Sequence, residues 1–167
     1  GVLADVKTMS ALGAYGTAVI AALTAQNTRG VTGISPVPPE FVAQQIDTLF
    51  SDVRIDAVKI GMLGQQAVTR VVAERLMHWQ PAHIVLDPVM IANLKEMRRV
   101  AEKLRRLLND SGERWVYLKG GHLPGNDPID ILHNGDQLFE LPGERIHTRN
   151  THGTGCTLSA ALAALLP

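Results

Sequence analysis

A glycine-rich turn that leads into an apolar helix has the clearest chemical potential in this 167-residue chain. The turn is Asn150-Thr151-His152-Gly153-Thr154-Gly155-Cys156-Thr157, and the apolar run covers residues 158–166. Glycine lacks a side chain, so backbone N–H groups can close around an anion, and the helix adds its unpaired amides and its dipole. The chain's single cysteine lies at this point, where a thiol can become reactive. The segment therefore indicates phosphate chemistry, with a simple turn before a helix as the alternative.

Three further polar side chains follow apolar runs that resemble strands. Gln26 follows the run 16–23, Asp87 follows 84–86, and Lys119 follows the last such run. Because the carboxyl ends of parallel strands meet at one edge of a sheet, we expect these side chains to converge on one cleft. A carboxylate, a cation and backbone amides are what phosphoryl transfer requires. Each residue also has a structural alternative, as a turn residue, a solvated charge or a loop cap.

Helical and strand patterns alternate along the chain and must position these groups. Apolar residues recur at helical spacing in 3–12, 40–53, 65–79 and 94–108. Short apolar runs predict strands over 16–23, 57–62, 84–86 and 115–118. This alternation favours an α/β fold with a mainly parallel sheet. Asn134-Gly135 predicts a hairpin, which would be an antiparallel addition near one edge.

The composition excludes several classes of function. Lys plus Arg and Asp plus Glu both number 16, so net charge gives no sign of nucleic-acid binding. No apolar run reaches the length of a membrane span. A single cysteine forms no intrachain disulfide and predicts a reducing, cytoplasmic location. Neither a GxxxxGK[ST] loop nor a GxGxxG turn after a strand is present, which disfavours P-loop and dinucleotide folds.

Six blocks in the chain resemble, in order, the hydroxymethylpyrimidine/phosphomethylpyrimidine kinases of thiamin biosynthesis. The blocks lie at residues 6–16, 25–31, 59–63, 86–90, 119–122 and 150–157. They include the sequences Ala-Gln-Asn-Thr-Arg-Gly, Lys-Ile-Gly-Met-Leu, Asp-Pro-Val-Met and Lys-Gly-Gly-His. The resemblance implies a ribokinase-like three-layer α/β/α sandwich around a mostly parallel sheet. It also implies ATP and Mg²⁺ as cofactors, a small pyrimidine as substrate, and a homodimer.

The resemblance further implies roles for residues around the substrate. Gln26 would hydrogen-bond the aminopyrimidine ring, and Asp5 would hold the polar groups of the substrate. Met62 and Val89 would form apolar walls of the same pocket. Asp87 would act in the magnesium and phosphate region.

A second group of implied roles concerns the transferred phosphoryl group. Lys119 would steady the ATP phosphates, and an anion hole would be formed by Gly153, Thr154 and Gly155. Cys156 stands where related kinases place an aspartate base, and it would accept the proton of the substrate hydroxymethyl group. A loose phosphoryl-transfer transition state requires little base strength, so the anion hole is expected to matter more than the base.

Departures from the family pattern shape the expected domain organisation. We expect one kinase domain over residues 1–167, lacking family segments before Gly1, after Asn93 and after Pro167. Two alternatives remain for its function. The first is a pyridoxal kinase of the same superfamily, and the second is a catalytically inactive pyrimidine-binding domain.

Overall fold

A computed structural model describes residues 1–87, 94–95, 98–99, 101–102, 116–120, 128–144 and 154–166. The chain divides into two compact units, which are described separately. The first unit comprises Gly1–Asp87 with His152–Pro167, and the second comprises Pro88–Thr151.

The first unit contains four helices and two pairs of strands within its described residues. The helices are α1 (Val2–Ala11), α2 (Pro39–Asp52), α3 (Gln66–Trp79) and α4 (Thr154–Leu165). The strands are β1 (Ala22–Gln26), β2 (Val31–Pro36), β3 (Ala57–Ile60) and β4 (His83–Leu86). The helices predicted over 3–12, 40–53 and 65–79 are therefore confirmed, as are the strands at 57–62 and 84–86.

The parallel pair β3–β4 aligns the two strand ends of this unit. Its register runs from Ala57 opposite His83 to Ile60 opposite Leu86. The ladder continues one step further, because the Asp87 N–H donates to the Ile60 carbonyl at 2.9 Å. The helix α4 packs against both strands and against α1. Asp87 is thereby held by its backbone at the carboxyl end of the pair.

Apolar side chains of α2 and α3 form the core of this unit. Val42 and Ile46 from α2 are buried with Val68 and Val72 from α3. They lie one helical turn apart on each helix, as the periodicity predicts. Burial of such a side chain contributes about 1.5–3 kcal/mol relative to exposure.

The strand predicted over 16–23 is wrong in position and in environment. The strand that forms is β1, which pairs antiparallel with β2 and is mostly exposed. The backbone of Ile20 bonds instead to a side chain, donating to Gln45 Oε1 at 2.9 Å and accepting from Gln45 Nε2 at 3.0 Å. Residues 14–20 have no regular secondary structure. The run is nevertheless apolar, because the side chains of Val19 and Ala21 pack on the α2–α3 core.

An antiparallel sheet of three strands forms the described part of the second unit. The strands are β5 (Val116–Leu118), β6 (Ile129–His133) and β7 (Leu138–Pro142), in that spatial order. The predicted hairpin is confirmed, since Gly135 has φ 112° and Asn134 Oδ1 accepts from two turn amides. Residues 94–95, 98–99 and 101–102 are helical, in agreement with the helix predicted over 94–108.

The strand predicted over 115–118 forms, but its described partner differs from the expectation. Within the described part of the unit, β5 pairs only with β6, and the pairing is antiparallel. The apolar run predicts burial correctly, because Val116 and Leu118 pack with Ile131 and Ala101. The run is too short to show an alternation of apolar and polar residues. The sequence therefore could not distinguish a parallel from an antiparallel strand here.

Among the helices that the structure describes, none has the length and apolar character needed to cross a lipid bilayer.

A polar cluster around Asp47 joins α2 to α3 outside the apolar core. Trp79 Nε1 donates to Asp47 Oδ1 at 2.8 Å, and Arg75 Nη1 lies 3.2 Å from Oδ2. The bond from Trp79, together with the positive charge of Arg75, lowers the pKa of the Asp47 carboxyl group. A lowered pKa in the folded state means that the ionised form stabilises the fold.

We expect Asp47→Asn to lower the melting temperature at pH 7 and to converge with the unsubstituted protein in acid. The stabilisation is present above the unfolded-state pKa of about 3.9 and is lost as the pH falls through the lower folded-state pKa. Thermal unfolding between pH 7 and pH 2.5 measures this. Asp56→Asn, which removes an exposed ion pair with Arg54, is the matched control and should have little effect. A melting deficit of Asp47→Asn that stays constant with pH would contradict the expectation.

Candidate active site

Asp87 is fixed at the end of β4 by its side chain as well as by its backbone. Ser159 Oγ lies 3.1 Å from Asp87 Oδ2, to which it can donate. The same hydroxyl lies 3.1 Å from the carbonyls of Gly155 and Cys156 in the preceding turn of α4. Ser159 is only 4% exposed, so these are its available partners within the described residues. One buried hydroxyl thus ties the Asp87 carboxylate to the first turns of α4.

The first turn of α4 lies beside the first turn of α1. The helix begins at Thr154, which places the backbone of Thr154 and Gly155 at a helix N-terminus. Cys156 follows, is partly exposed, and has its Sγ 3.8 Å from the Gly1 nitrogen. Free amides at such a position attract anions. Gly153 lies outside the described residues.

Asp5, in the first turn of α1, forms an ion pair with Lys59 of β3. The Lys59 Nζ–Asp5 Oδ2 distance is 3.0 Å, and the two side chains are 4% and 14% exposed respectively. Asp5 Oδ1 is also buried, yet it has no hydrogen-bond partner in the described part of the chain. Leaving a buried polar atom unpaired costs about 1–3 kcal/mol, so this oxygen is suited to accept from a bound donor.

These contacts bring three of the candidate residues into one region of the first unit. Asp5 connects α1 to β3, Asp87 connects β4 to α4, and Cys156 lies at the contact between α4 and α1. The region therefore combines the end of a parallel strand pair with two helix N-termini. Ligands bind beyond such strand ends in open α/β sheets.

The remaining substrate-pocket candidates are not joined to that region by any described contact. Gln26 is exposed at the end of β1, next to an irregularity in the β1–β2 register. The sequence pattern predicted that Gln26 follows a strand of a parallel sheet. That prediction is wrong, because β1 pairs antiparallel with β2. Met62 lies just after β3 and is 71% exposed. Val89 lies outside the described residues.

Lys119 belongs to the second unit, where the backbone after it is tightly held. The Gly120 N–H donates to Asp130 Oδ1 at 2.7 Å, and the Tyr117 hydroxyl donates to the other oxygen of the same carboxylate. Burial, reinforced by the bond to Asp130, raises the pKa of the Tyr117 hydroxyl. A Cβ atom at Gly120 would lie 2.0 Å from the Ile129 carbonyl oxygen, so only glycine fits there.

Sequence reasoning missed Lys59 and Ser159 in the first unit, and it missed Asp130, which holds the backbone beside Lys119 in the second unit. The available signals were weak: a charged residue in an apolar strand, a hydroxyl in an apolar helix, and an acid within a short strand. Each of these patterns is common on solvated surfaces.

The described residues contain no cluster of three or more His, Cys, Asp or Glu side chains that could hold a metal ion. Magnesium is commonly held by one or two carboxylates together with water and substrate phosphates, so the Asp87 carboxylate fits that mode without a larger cluster.

Comparison with known proteins identifies the family. The sequence profile described as phosphomethylpyrimidine kinase matches residues 1–97 and 92–167. The hydroxymethylpyrimidine/phosphomethylpyrimidine kinase of Escherichia coli is 44% identical, over all of this chain and 77% of its own length.

Solved structures give the same result for the fold. The phosphomethylpyrimidine kinase of Clostridium difficile superposes with a TM-score of 0.76 at 31% identity, over 99% of this chain and 84% of that one. A pyridoxal kinase of Bacillus subtilis, solved as an ADP complex, gives a TM-score of 0.79 at 25% identity, over 99% and 77% of the two chains.

The fold is thus that of the ribokinase-like small-molecule kinases, which confirms the α/β fold class expected from the sequence. The chain belongs to the phosphomethylpyrimidine kinase family.

We expect Gly120→Ala to destabilise the protein by about 1–3 kcal/mol, because overpacking at this backbone contact forces β5 and β6 apart. Urea unfolding measures the change. Gly143→Ala is the matched control in the same unit, because its added Cβ would lie at an ordinary 3.5 Å from Pro128 Cγ. Equal stability of the two variants would show that the backbone after Lys119 is not constrained as described.

Proposed function

We propose that this chain phosphorylates 4-amino-5-hydroxymethyl-2-methylpyrimidine with ATP, and then phosphorylates the resulting monophosphate, in thiamin biosynthesis. The observation that carries the proposal is the meeting of Asp5, Asp87 and Cys156 at the strand ends and helix N-termini of one unit. The names of the relatives support the choice of substrate.

On this proposal the substrate ring binds near Asp5, whose buried Oδ1 accepts a hydrogen bond from a polar group of the pyrimidine. Gln26 supplies an amide that can donate to and accept from the ring nitrogen and the amine. Met62, whose exposed side chain is available to a ligand, forms an apolar wall with Val89.

Phosphoryl transfer would take place at the N-terminus of α4. The backbone of Gly153, Thr154 and Gly155 would stabilise negative charge on the transferred group. Lys119 would hold the ATP phosphates. Asp87 is the residue that would hold Mg²⁺, which supplies positive charge to the phosphates when bound. Ser159 engages one oxygen of this carboxylate and leaves the other without a described donor.

Cys156 is proposed to take the proton of the substrate hydroxyl group. We expect Cys156→Ala to lose most of its turnover while still binding the pyrimidine, because the side chain acts on the reacting atom and not on the ring. Steady-state kinetics and calorimetric titration of the pyrimidine separate the two effects. A near-normal turnover number in this variant would refute the base role.

Pyridoxal kinase activity is the second candidate, because solved pyridoxal kinases superpose as well as the phosphomethylpyrimidine kinase does. We expect a higher kcat/KM for the hydroxymethylpyrimidine than for pyridoxal, since the amide of Gln26 complements an aminopyrimidine. Parallel assays of the full chain with ATP and Mg²⁺ measure this ratio. A clear preference for pyridoxal would overturn the substrate assignment, and no ATP turnover with either compound would favour a binding domain.

A single kinase domain over residues 1–167 that lacks a family segment after Asn93 is also proposed. Two observations support it. The family profile matches in two ranges that meet near this residue, and the alignment with the E. coli relative extends over 209 positions against 167 residues here. The uninterrupted gene sequence tests it.

A homodimer and a cytoplasmic location complete the proposal. The hairpin β1–β2 exposes Leu23, Val31 and Ile34, which supports an association between two copies. Light scattering of the purified protein measures its mass and decides between a monomer and a dimer.

A further inference from the structure

We propose that Lys59 is a positioning residue for substrate binding, which holds Asp5 as an oriented carboxylate and cancels its charge. The inference rests on the proposed function, in which Asp5 binds the pyrimidine substrate. Lys59 lies inside β3, and neither the sequence analysis nor the proposed phosphoryl transfer gives it a role.

The environment of Lys59 is unusual for a lysine. It belongs to the short strand β3, its side chain is 4% exposed, and its described partner is Asp5 Oδ2 at 3.0 Å. Lysine is almost never fully buried without a partner, because removing its charge from water is costly. A buried ion pair is weak evidence for stability, since apolar residues of similar volume often serve as well. Stability alone therefore does not account for the pair.

The geometry of Asp5 supplies a functional reason for the Lys59–Asp5 pair. Lys59 engages Oδ2, while the buried Oδ1 remains without a donor among the described residues. With one oxygen held by β3 and the backbone held in the first turn of α1, the second oxygen has a defined position. Hydrogen bonds to charged acceptors are stronger than those to neutral ones, so a substrate donor gains from an ionised Asp5.

The space beside the ammonium group is also kept open. A Cβ atom at Gly61 would lie 3.2 Å from Lys59 Nζ, which is closer than ordinary contact. Because Gly61 has no side chain, the ammonium group of Lys59 has room to reach Asp5.

Cancelling the charge of Asp5 has a consequence for substrate range. The proposed enzyme accepts a neutral alcohol first and a negatively charged phosphate monoester second. An isolated carboxylate would repel the second substrate, whereas a neutral Lys59–Asp5 pair tolerates both. The pair therefore allows one pocket to serve two successive phosphorylations.

The experiment compares Lys59→Met, Asp5→Asn and the double variant with the unsubstituted full chain. KM and kcat are measured for the alcohol, the monophosphate and ATP under the same conditions for every protein. Arg54→Met is the matched control, because it removes the cation of an exposed ion pair close to β3.

We expect Lys59→Met to raise KM for both pyrimidines by roughly 10- to 100-fold, with the larger change for the monophosphate. KM for ATP and the kinetics of Arg54→Met should stay within about twofold of the unsubstituted values. Asp5→Asn should shift the preference the other way, towards the monophosphate, because the positive charge of Lys59 is then no longer balanced by a carboxylate. Adding Lys59→Met to Asp5→Asn should bring the preference between the two substrates back towards the unsubstituted ratio.

A purely structural role for Lys59 would change kcat/KM for the two pyrimidines equally or would change KM for ATP as much, and either result overturns the inference. Should Lys59→Met fail to fold, the double variant has no uncompensated buried charge and is compared with Asp5→Asn. A preference identical in those two proteins then contradicts the charge-cancelling role. Absence of activity in the unsubstituted protein would instead refute the proposed function, before any variant is examined.

Discussion

The parallel pairing of β3 with β4 is the constraint on which the site in the first unit depends. The ladder places Ile60 opposite Leu86 and extends to the backbone of Asp87, so both strands end at the same level. The helix α4 packs on these strands and on α1, which brings two helix N-termini to that level. A slip of one residue in this register would turn Lys59 to the other face of the strand and separate it from Asp5.

Buried polar groups in this unit connect secondary structure elements at some expense of stability. The Lys59–Asp5 pair and the Ser159–Asp87 bond connect secondary structure elements, but apolar side chains could join the same elements without desolvating any charge. The α2–α3 core, built from Val42, Ile46, Val68 and Val72, contains no such groups. The apolar core and the buried polar contacts are thus formed by different residues of the unit.

In the second unit, a single carboxylate has a comparable organising role. Asp130 accepts from the backbone of Gly120 and from the Tyr117 hydroxyl, so it holds the residues on both sides of Lys119. The close approach of the Gly120 backbone to Ile129 removes the remaining freedom. The backbone of Lys119 is therefore fixed, although a lysine side chain itself is flexible.

Local pattern alone was sufficient for much of this protein. Helical periodicity located α1, α2 and α3, and the Asn134-Gly135 pair located the β6–β7 hairpin. These features succeed because they depend on residues a few positions apart. Tertiary structure decided the rest. Residues 16–21 are not a strand because Gln45 satisfies the backbone of Ile20 from 25 residues away. Lys59 meets Asp5 across 54 residues. Such contacts form only when separate elements pack, so no local spacing in the sequence could specify them.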